Sequence, residues 1–401
     1  MLPLDVLHHI ASTYGTPTYV YDEAIIQKQI EQLQQVCPPL PHRLLYAVKA
    51  NPHPAILHII ASQGWGFDVV SPGELFLLRR TGITPDRILF SPNFMTDEEM
   101  HEAHQEGVLL NIGELSRLQT YGEAYPGSDV CVRLNPSIGA GHHAYVVTAG
   151  EETKFGIPTS QIPEILELAR RYNLRIVGLH QHIGSGFLSP EPLVAAARYL
   201  LEAAEHFPDL QFINLGGGLG IPYRPEEKPF PIERIRTTLF PLLEDFRGRY
   251  PHPVSFWMEP GRYVVGPAGT LLVRVTDIKE TTHHRFAGTD SGMNHLIRPA
   301  LYQAYHEILN ISNPEAPLRT YTVTGNICET GDVLATDRAI PAIRKGDILA
   351  IKDVGAYGMS MASTYNLRPL PAEVLVRASG AIELIRPRPS IDAFVDWYFG
   401  Y

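Results

Sequence analysis

A chain of 401 residues is too long for one small hydrophobic core, so two domains are expected. It is 44% hydrophobic and 19% charged, as soluble globular proteins are, and its formal net charge of −10 argues against nucleic acid or an anionic membrane as a main partner. No apolar run is long enough to span a bilayer, and Cys37, Cys131 and Cys328 are too few and too widely spaced for a disulfide framework or a zinc ribbon, which suits a reducing cytoplasm.

In chain order, the first residues, MLPLDVLHHIASTYG, lack a basic segment ahead of an apolar one, and TPTYVYD (16–22) reads as a strand. From there short β-rich runs alternate with segments of helical period. The runs are RLLYAV (43–48), GFDVV (66–70), RILFS (87–91), GVLLNI (107–112), DVCVRLN (129–135), RIVGLHQHI (175–183), FINLG (212–216) and VSFWME (254–259). Between them lie helical candidates at 72–81, 96–106, 159–172, 189–206 and 231–249, and another opening at Pro54. Eight β units alternating with helices is the arithmetic of a (β/α)8 barrel. The stretch 137–157 delays the sixth unit and reads as a loop over the barrel mouth, with His142 and His143 as ordinary loop residues. After about residue 276 the texture changes: GTLLVRVTDIKE, PLRTYTVTG, DILAIKDVG, AEVLVRA and AIELIRPR look like strands separated by turns. The expected organisation is therefore α/β: a barrel over 24–276, then a mostly antiparallel β-domain over 277–401, joined by strand residues from 1–23.

In such barrels the chemistry collects at the C-terminal ends of the strands. Here those ends carry Lys49, Asp68, Asn93, Asn111, Arg133 with Asn135, His180 with His182, Gly216 to Gly218, and Glu259 with Arg262. Lys49 ends the apolar run of LLYAVKANPHPAIL, where a lone lysine would ordinarily just snorkel to the surface. INLGGGLGIPY (213–223) puts four glycines behind a strand, where backbone N–H groups can approach a phosphate. A tight turn would use the same residues, and the run is neither a P-loop nor a dinucleotide fingerprint. HQHIGSG (180–186) offers two imidazoles and Ser185; His-x-His could bind metal, but no third ligand stands at a supporting spacing, so no metal is expected. MEPGRYVVGPAGTL (258–271) ends the last barrel strand with a carboxylate and then a guanidinium, a pattern that alone serves equally as a salt bridge. A lysine, a phosphate nest, a ring-stacking imidazole and a strand-end carboxylate together describe a pyridoxal phosphate site. The lysine holds the cofactor covalently, and the carboxylate keeps the pyridine nitrogen protonated.

YAVKAN, HIGSG, GGGLG and EPGR resemble the barrel-type pyridoxal phosphate decarboxylases that act on ornithine, arginine and diaminopimelate. GMNHLIRPALYQAYHEI (292–308), CETGDVLA (328–335) and GAYGMSMASTYNLRPLPAEVLV (355–376) are similar to the diaminopimelate decarboxylase family in particular, and the resemblance runs from about residue 15 to 380. It implies that Lys49 carries the cofactor, that His182 stacks on its ring and that Glu259 faces its nitrogen. It also implies that Asp68, Ser185, Gly216, Gly217, Gly218, Gly261, Arg262 and Tyr357 bind the cofactor or lie beside it. Arg262, Arg298, Tyr302, Glu329 and Tyr357 would contact the amino-acid substrate, and Cys328 would return a proton to it. In the family Cys328 and Glu329 reach the partner's site, which implies a homodimer with shared active sites. The expected reaction is decarboxylation of meso-diaminopimelate to L-lysine: its far end needs both an acid and a cation, which Glu329 and Arg298 supply. SPNFMTDEEM (91–100) departs from the Gly-Asn-x-Lys often found there, whereas KFGI (154–157) matches. The alternatives are a related decarboxylase of carboxynorspermidine, another basic amino acid or a carrier-linked amino acid. Further off stand a racemase, whose lysine segment differs, and a cofactor-homeostasis protein, which resembles a lone barrel.

Overall fold

Eight parallel strands close on themselves in the computed structural model, which describes residues 1–37, 40–136 and 153–400. They are His42–Ala47, Gly66–Val69, Ile88–Phe90, Leu109–Ile112, Asp129–Asn135, Arg175–His180, Phe212–Asn214 and Ser255–Met258. Each pairs with the next, and the last pairs with the first. These are the eight expected runs, most of them trimmed at an end, the first starting one residue earlier and the fifth unchanged. The interior packs as alternate strands dictate: Leu45, Leu89, Cys131 and Phe212 come from the first, third, fifth and seventh strands, with Val177 beside them. Two glycines on intervening strands make the room. A Cβ at Gly66 would lie 2.4 Å from the Leu45 side chain, and one at Gly178 would lie 2.0 Å from the Phe212 ring.

Local signals explain most helices between the strands. Ser71 caps Pro72–Arg80 by accepting from Glu74 N at 3.3 Å, and Thr96 with Glu99 forms a capping box on Asp97–Gln105. Pro54–Ser62, Ile162–Tyr172 and Glu191–Ala204 also stand where the period put them. The single helix expected over 231–249 is instead two, Glu233–Thr238 and Phe240–Arg249. Pro241 has no N–H to continue the ladder, so it opens a new helix. The helices Leu4–Tyr14, Glu23–Val36, Leu115–Ala124 and Ile391–Phe399 were not anticipated.

Chain contacts divide the molecule into two units. One comprises Ile30–Pro222 and Lys228–Tyr263; the other comprises Met1–Gln29, Tyr223–Glu227 and Val264–Tyr401. The second unit is built on a nine-stranded, mostly antiparallel sheet. Its long strand, Gly269–Glu280, pairs antiparallel with Thr18–Asp22, Ile348–Lys352 and Arg285–Thr289. Residue 276, the expected boundary, thus falls inside a strand of this sheet. Thr18–Asp22 is an interior strand, parallel to Ala372–Val376 on its other side. Arg285–Thr289, Ile308–Asn310 and Val333–Pro341 are further strands that the sequence reading did not find. Val20, Leu272, Ala350 and Val374, from four of these strands, pack with Leu7 and Ile10 of the N-terminal helix into the core of this unit.

Candidate active site

Lys49 sits in a one-turn 3-10 helix, Val48–Ala50, directly after the first barrel strand. That turn is stitched to the segment after the eighth strand: Ala47 N donates to Pro260 O at 3.3 Å. A Cβ on Gly261 would lie 3.0 Å from the Cβ atoms of Ala47 and Ala50, so this close approach favours glycine. The Lys49 ammonium donates to Asp68, a carboxylate 1% exposed at the end of the neighbouring strand. Burial and then the charge of Glu259 push the Asp68 carboxyl up, while Lys49 works against both.

Glu259 directly follows the eighth strand and is itself buried. Asn214 Nδ2 donates to its Oε1 at 2.7 Å, and His180 Nε2 lies 3.1 Å from its Oε2. Burial alone would raise this carboxyl; His180 foremost, then Lys49, outweigh it and hold Glu259 below the usual carboxylate range. Gly217 N donates to His182 Nδ1 at 3.1 Å, fixing that ring. Burial, Arg133 and Lys49 keep the His182 pKa well below the ordinary histidine value, so the imidazole is neutral. The glycine run is sterically obligatory: a Cβ at Gly217 would lie 2.1 Å from Glu259 O, and Gly218 adopts φ 110°. Arg262 donates to Ser185 Oγ through Nε at 3.3 Å and Nη2 at 3.0 Å, which assembles a cation and a hydroxyl as an anion-binding pair.

The barrel therefore gathers Lys49, Asp68, His182, Ser185, Gly216 to Gly218, Glu259, Gly261 and Arg262 at one end. The donor set fits pyridoxal phosphate: a primary amine, a neutral imidazole, an ionised carboxylate held by hydrogen bonds, and a guanidinium with a hydroxyl for phosphate. Among the described residues no group of three or more His, Cys, Asp or Glu is placed to hold a metal ion. Nor is any described helix long and apolar enough to cross a membrane. In the sequence His180 stands only as a strand end and as one imidazole of His-x-His, and Asn214 is not singled out. The signal that would have found Asn214 is the one that found Lys49, a polar residue closing an apolar strand. Arg133, another expected strand end, donates to Asn93 Oδ1 at 3.3 Å and lies 4.9 Å over the Phe155 ring. Residues 91–96 and KFGI thus meet at one arginine, whereas His142 and His143 lie outside the described residues.

The remaining candidates belong to the second unit. Arg298 is 1% exposed; its Nε lies 3.3 Å from His306 Nε2, and its guanidinium stacks 4.9 Å over Tyr223. Tyr302 closes the same short helix, Arg298–Tyr302, and is half-buried, as is Tyr357 with φ 57°. Cys328 is exposed, and its N and Sγ approach Asn366 Oδ1 at 3.3 and 3.4 Å. Next to it, Glu329 accepts from Tyr365 OH at 2.6 Å.

A family model described as "Pyridoxal-dependent decarboxylase, pyridoxal binding domain" matches residues 23–266. The diaminopimelate decarboxylase of Methanothermobacter thermautotrophicus is 42% identical over 390 residues, covering 94% of this chain and 90% of its own. That of Aquifex aeolicus is 36% identical, covering 97% and 93%. The crystal structure of the Helicobacter pylori diaminopimelate decarboxylase complexed with L-lysine superposes with a TM-score of 0.90 at 30% identity, covering 98% of this chain and 99% of that one. With the barrel, its lysine and its buried carboxylate in place, this chain belongs to the diaminopimelate decarboxylase family of pyridoxal phosphate-dependent carboxy-lyases.

Proposed function

We propose that this protein removes one carboxylate of meso-diaminopimelate as CO2 and releases L-lysine. What carries the reading is near full-length similarity to proteins named for that reaction, 42% identity over 94% of the chain in one case. Pyridoxal phosphate, when bound, accepts the electron pair left at Cα as the carboxylate departs. Lys49 Nζ is the amine that would hold the cofactor covalently. Ser185, Gly217, Gly218 and Arg262 would hold its phosphate, and His182 would lie against its ring. Glu259, anionic, would keep a proton on the pyridine nitrogen.

At the far end of the substrate, Arg298 grips the carboxylate and Glu329 the ammonium. The stacking of Arg298 on Tyr223 holds its planar fork still, as two-point recognition of a carboxylate needs. Cys328 Sγ returns a proton to Cα. Cys328 and Glu329 serve the barrel of a second copy of the chain, so the working unit is a homodimer.

The experiment is a CO2-release panel with meso-diaminopimelate, lysine, ornithine and arginine. Removing one member of a desolvated charge pair costs about 2–5 kcal/mol. Arg298→Ala should therefore lower kcat/KM for diaminopimelate at least tenfold, while any trace activity on lysine or ornithine, which lack the distal carboxylate, hardly changes. A wild type that prefers ornithine or lysine, with Arg298 irrelevant, would refute the substrate.

A further inference from the structure

Glu259 is only 4% exposed, and a carboxylate at that depth persists as an ion only where it is paired or hydrogen-bonded. Asn214 and His180, at 0% and 1% exposed, take its two oxygens at 2.7 and 3.1 Å. Strand register builds this clamp. His180 lies opposite Asn214, and Asn214 opposite Trp257, in a parallel ladder, so three neighbouring strands end at one level with Glu259 just beyond. The Asn214 amide cannot be reversed, because its Oδ1 accepts from Gly216 N at 2.9 Å; the Nδ2 donor must face Glu259.

The donor nitrogen of His180 follows from the acceptor it faces. Nδ1 is buried with no hydrogen-bond partner among the described residues. Nε2 is therefore the nitrogen that donates, because an ionised carboxylate only accepts.

We infer that His180 and Asn214 are positioning residues, two donors that fix the Glu259 carboxylate as an anion so that its charge holds the proton on the pyridine nitrogen. This rests on the reading that Glu259 faces that nitrogen. The test uses holoenzyme loaded with pyridoxal phosphate carrying 15N in the ring, whose resonance reports ring protonation independently of turnover.

Wild type should show a protonated ring at neutral pH, and Glu259→Gln a neutral one. His180→Leu should lower the protonation constant of the ring tenfold or more, the size of one hydrogen bond to a charged group. His180→Gln, whose amide restores a donor, should recover most of it. A wild-type signal in Glu259→Gln refutes the assignment of Glu259 itself. A shifted Glu259→Gln beside an unshifted His180→Leu refutes the positioning role while leaving Glu259 in place. If His180→Leu does not fold, the wild-type holoenzyme labelled with 15N-histidine decides. The His180 ring, assigned by its loss in His180→Gln, should carry a proton on Nε2; an unprotonated Nε2 would overturn the inference.

Discussion

Lys49 reads in the sequence as an anomaly, a cation ending an apolar strand, and the structure gives it a buried counter-charge in Asp68. Lys49→Ala should reduce decarboxylation by several orders of magnitude, as loss of a covalent catalyst does. Borohydride reduction of the holoenzyme should place the label on Lys49, and a label on any other lysine would defeat the assignment. A second residue-scale effect concerns stability. His295 is buried between Ser291 Oγ at 3.1 Å and Pro369 O at 3.2 Å, and burial, helped by Arg368 and Arg388, pulls its pKa from 6.5 to about 4. The unfolded chain takes up this proton near pH 6.5, but the folded one does so only near 4. The contribution is therefore complete above 6.5 and is lost as pH falls toward 4, a swing of about 3 kcal/mol. Asp353, raised by burial to about 6, acts oppositely, favouring the fold at lower pH. The difference between wild type and His295→Asn isolates the histidine: urea unfolding should show the gap shrinking toward acid, and a constant gap would mean that His295 titrates normally.

At the scale of elements, the strands and helices obey local rules, while the glycines show where those rules meet packing. A Cβ at Gly217 would press on the backbone of Glu259, whereas one at Gly248, near the end of Phe240–Arg249, meets nothing within 4 Å. Gly248→Ala should stabilise by about 0.4–1 kcal/mol through the unfolded chain. Gly217→Ala should destabilise by about 1–3 kcal/mol and loosen the cofactor, because the eighth strand must move. Denaturant midpoints and cofactor titration check both; equal effects at the two positions would contradict the packing. The same contrast explains what the periodicity missed. Pro241 splits a helix whose apolar pattern runs on unbroken, and Ile308–Asn310 is too short for two-fold alternation to register.

For the whole molecule, the decisive question is assembly. Lys49 lies in the barrel unit, while Cys328 and Glu329 lie exposed in the other unit, Cys328 beside Asn366 and Glu329 against Tyr365. If each site is shared between copies, mixing inactive Lys49→Ala with inactive Cys328→Ala subunits should restore part of the activity, because a hybrid dimer has one intact site. No recovery after demonstrated subunit exchange would mean that each chain completes its own site.

Much of this was legible before folding. Eight β runs, the glycine nest and the residues at the strand ends follow from patterns within a few neighbours, since a period of two, a period of 3.6 and a turn are local properties of a chain. The second sheet was only half legible, because Thr18–Asp22 pairs with residues some 250 and 350 positions away and no local pattern carries that register. The same holds for the clamp on Glu259. His180 and Asn214 stand 79 and 45 residues from it, and only the closing of the barrel, which aligns three strand ends at one depth, turns a histidine and an asparagine into the donors that keep its charge.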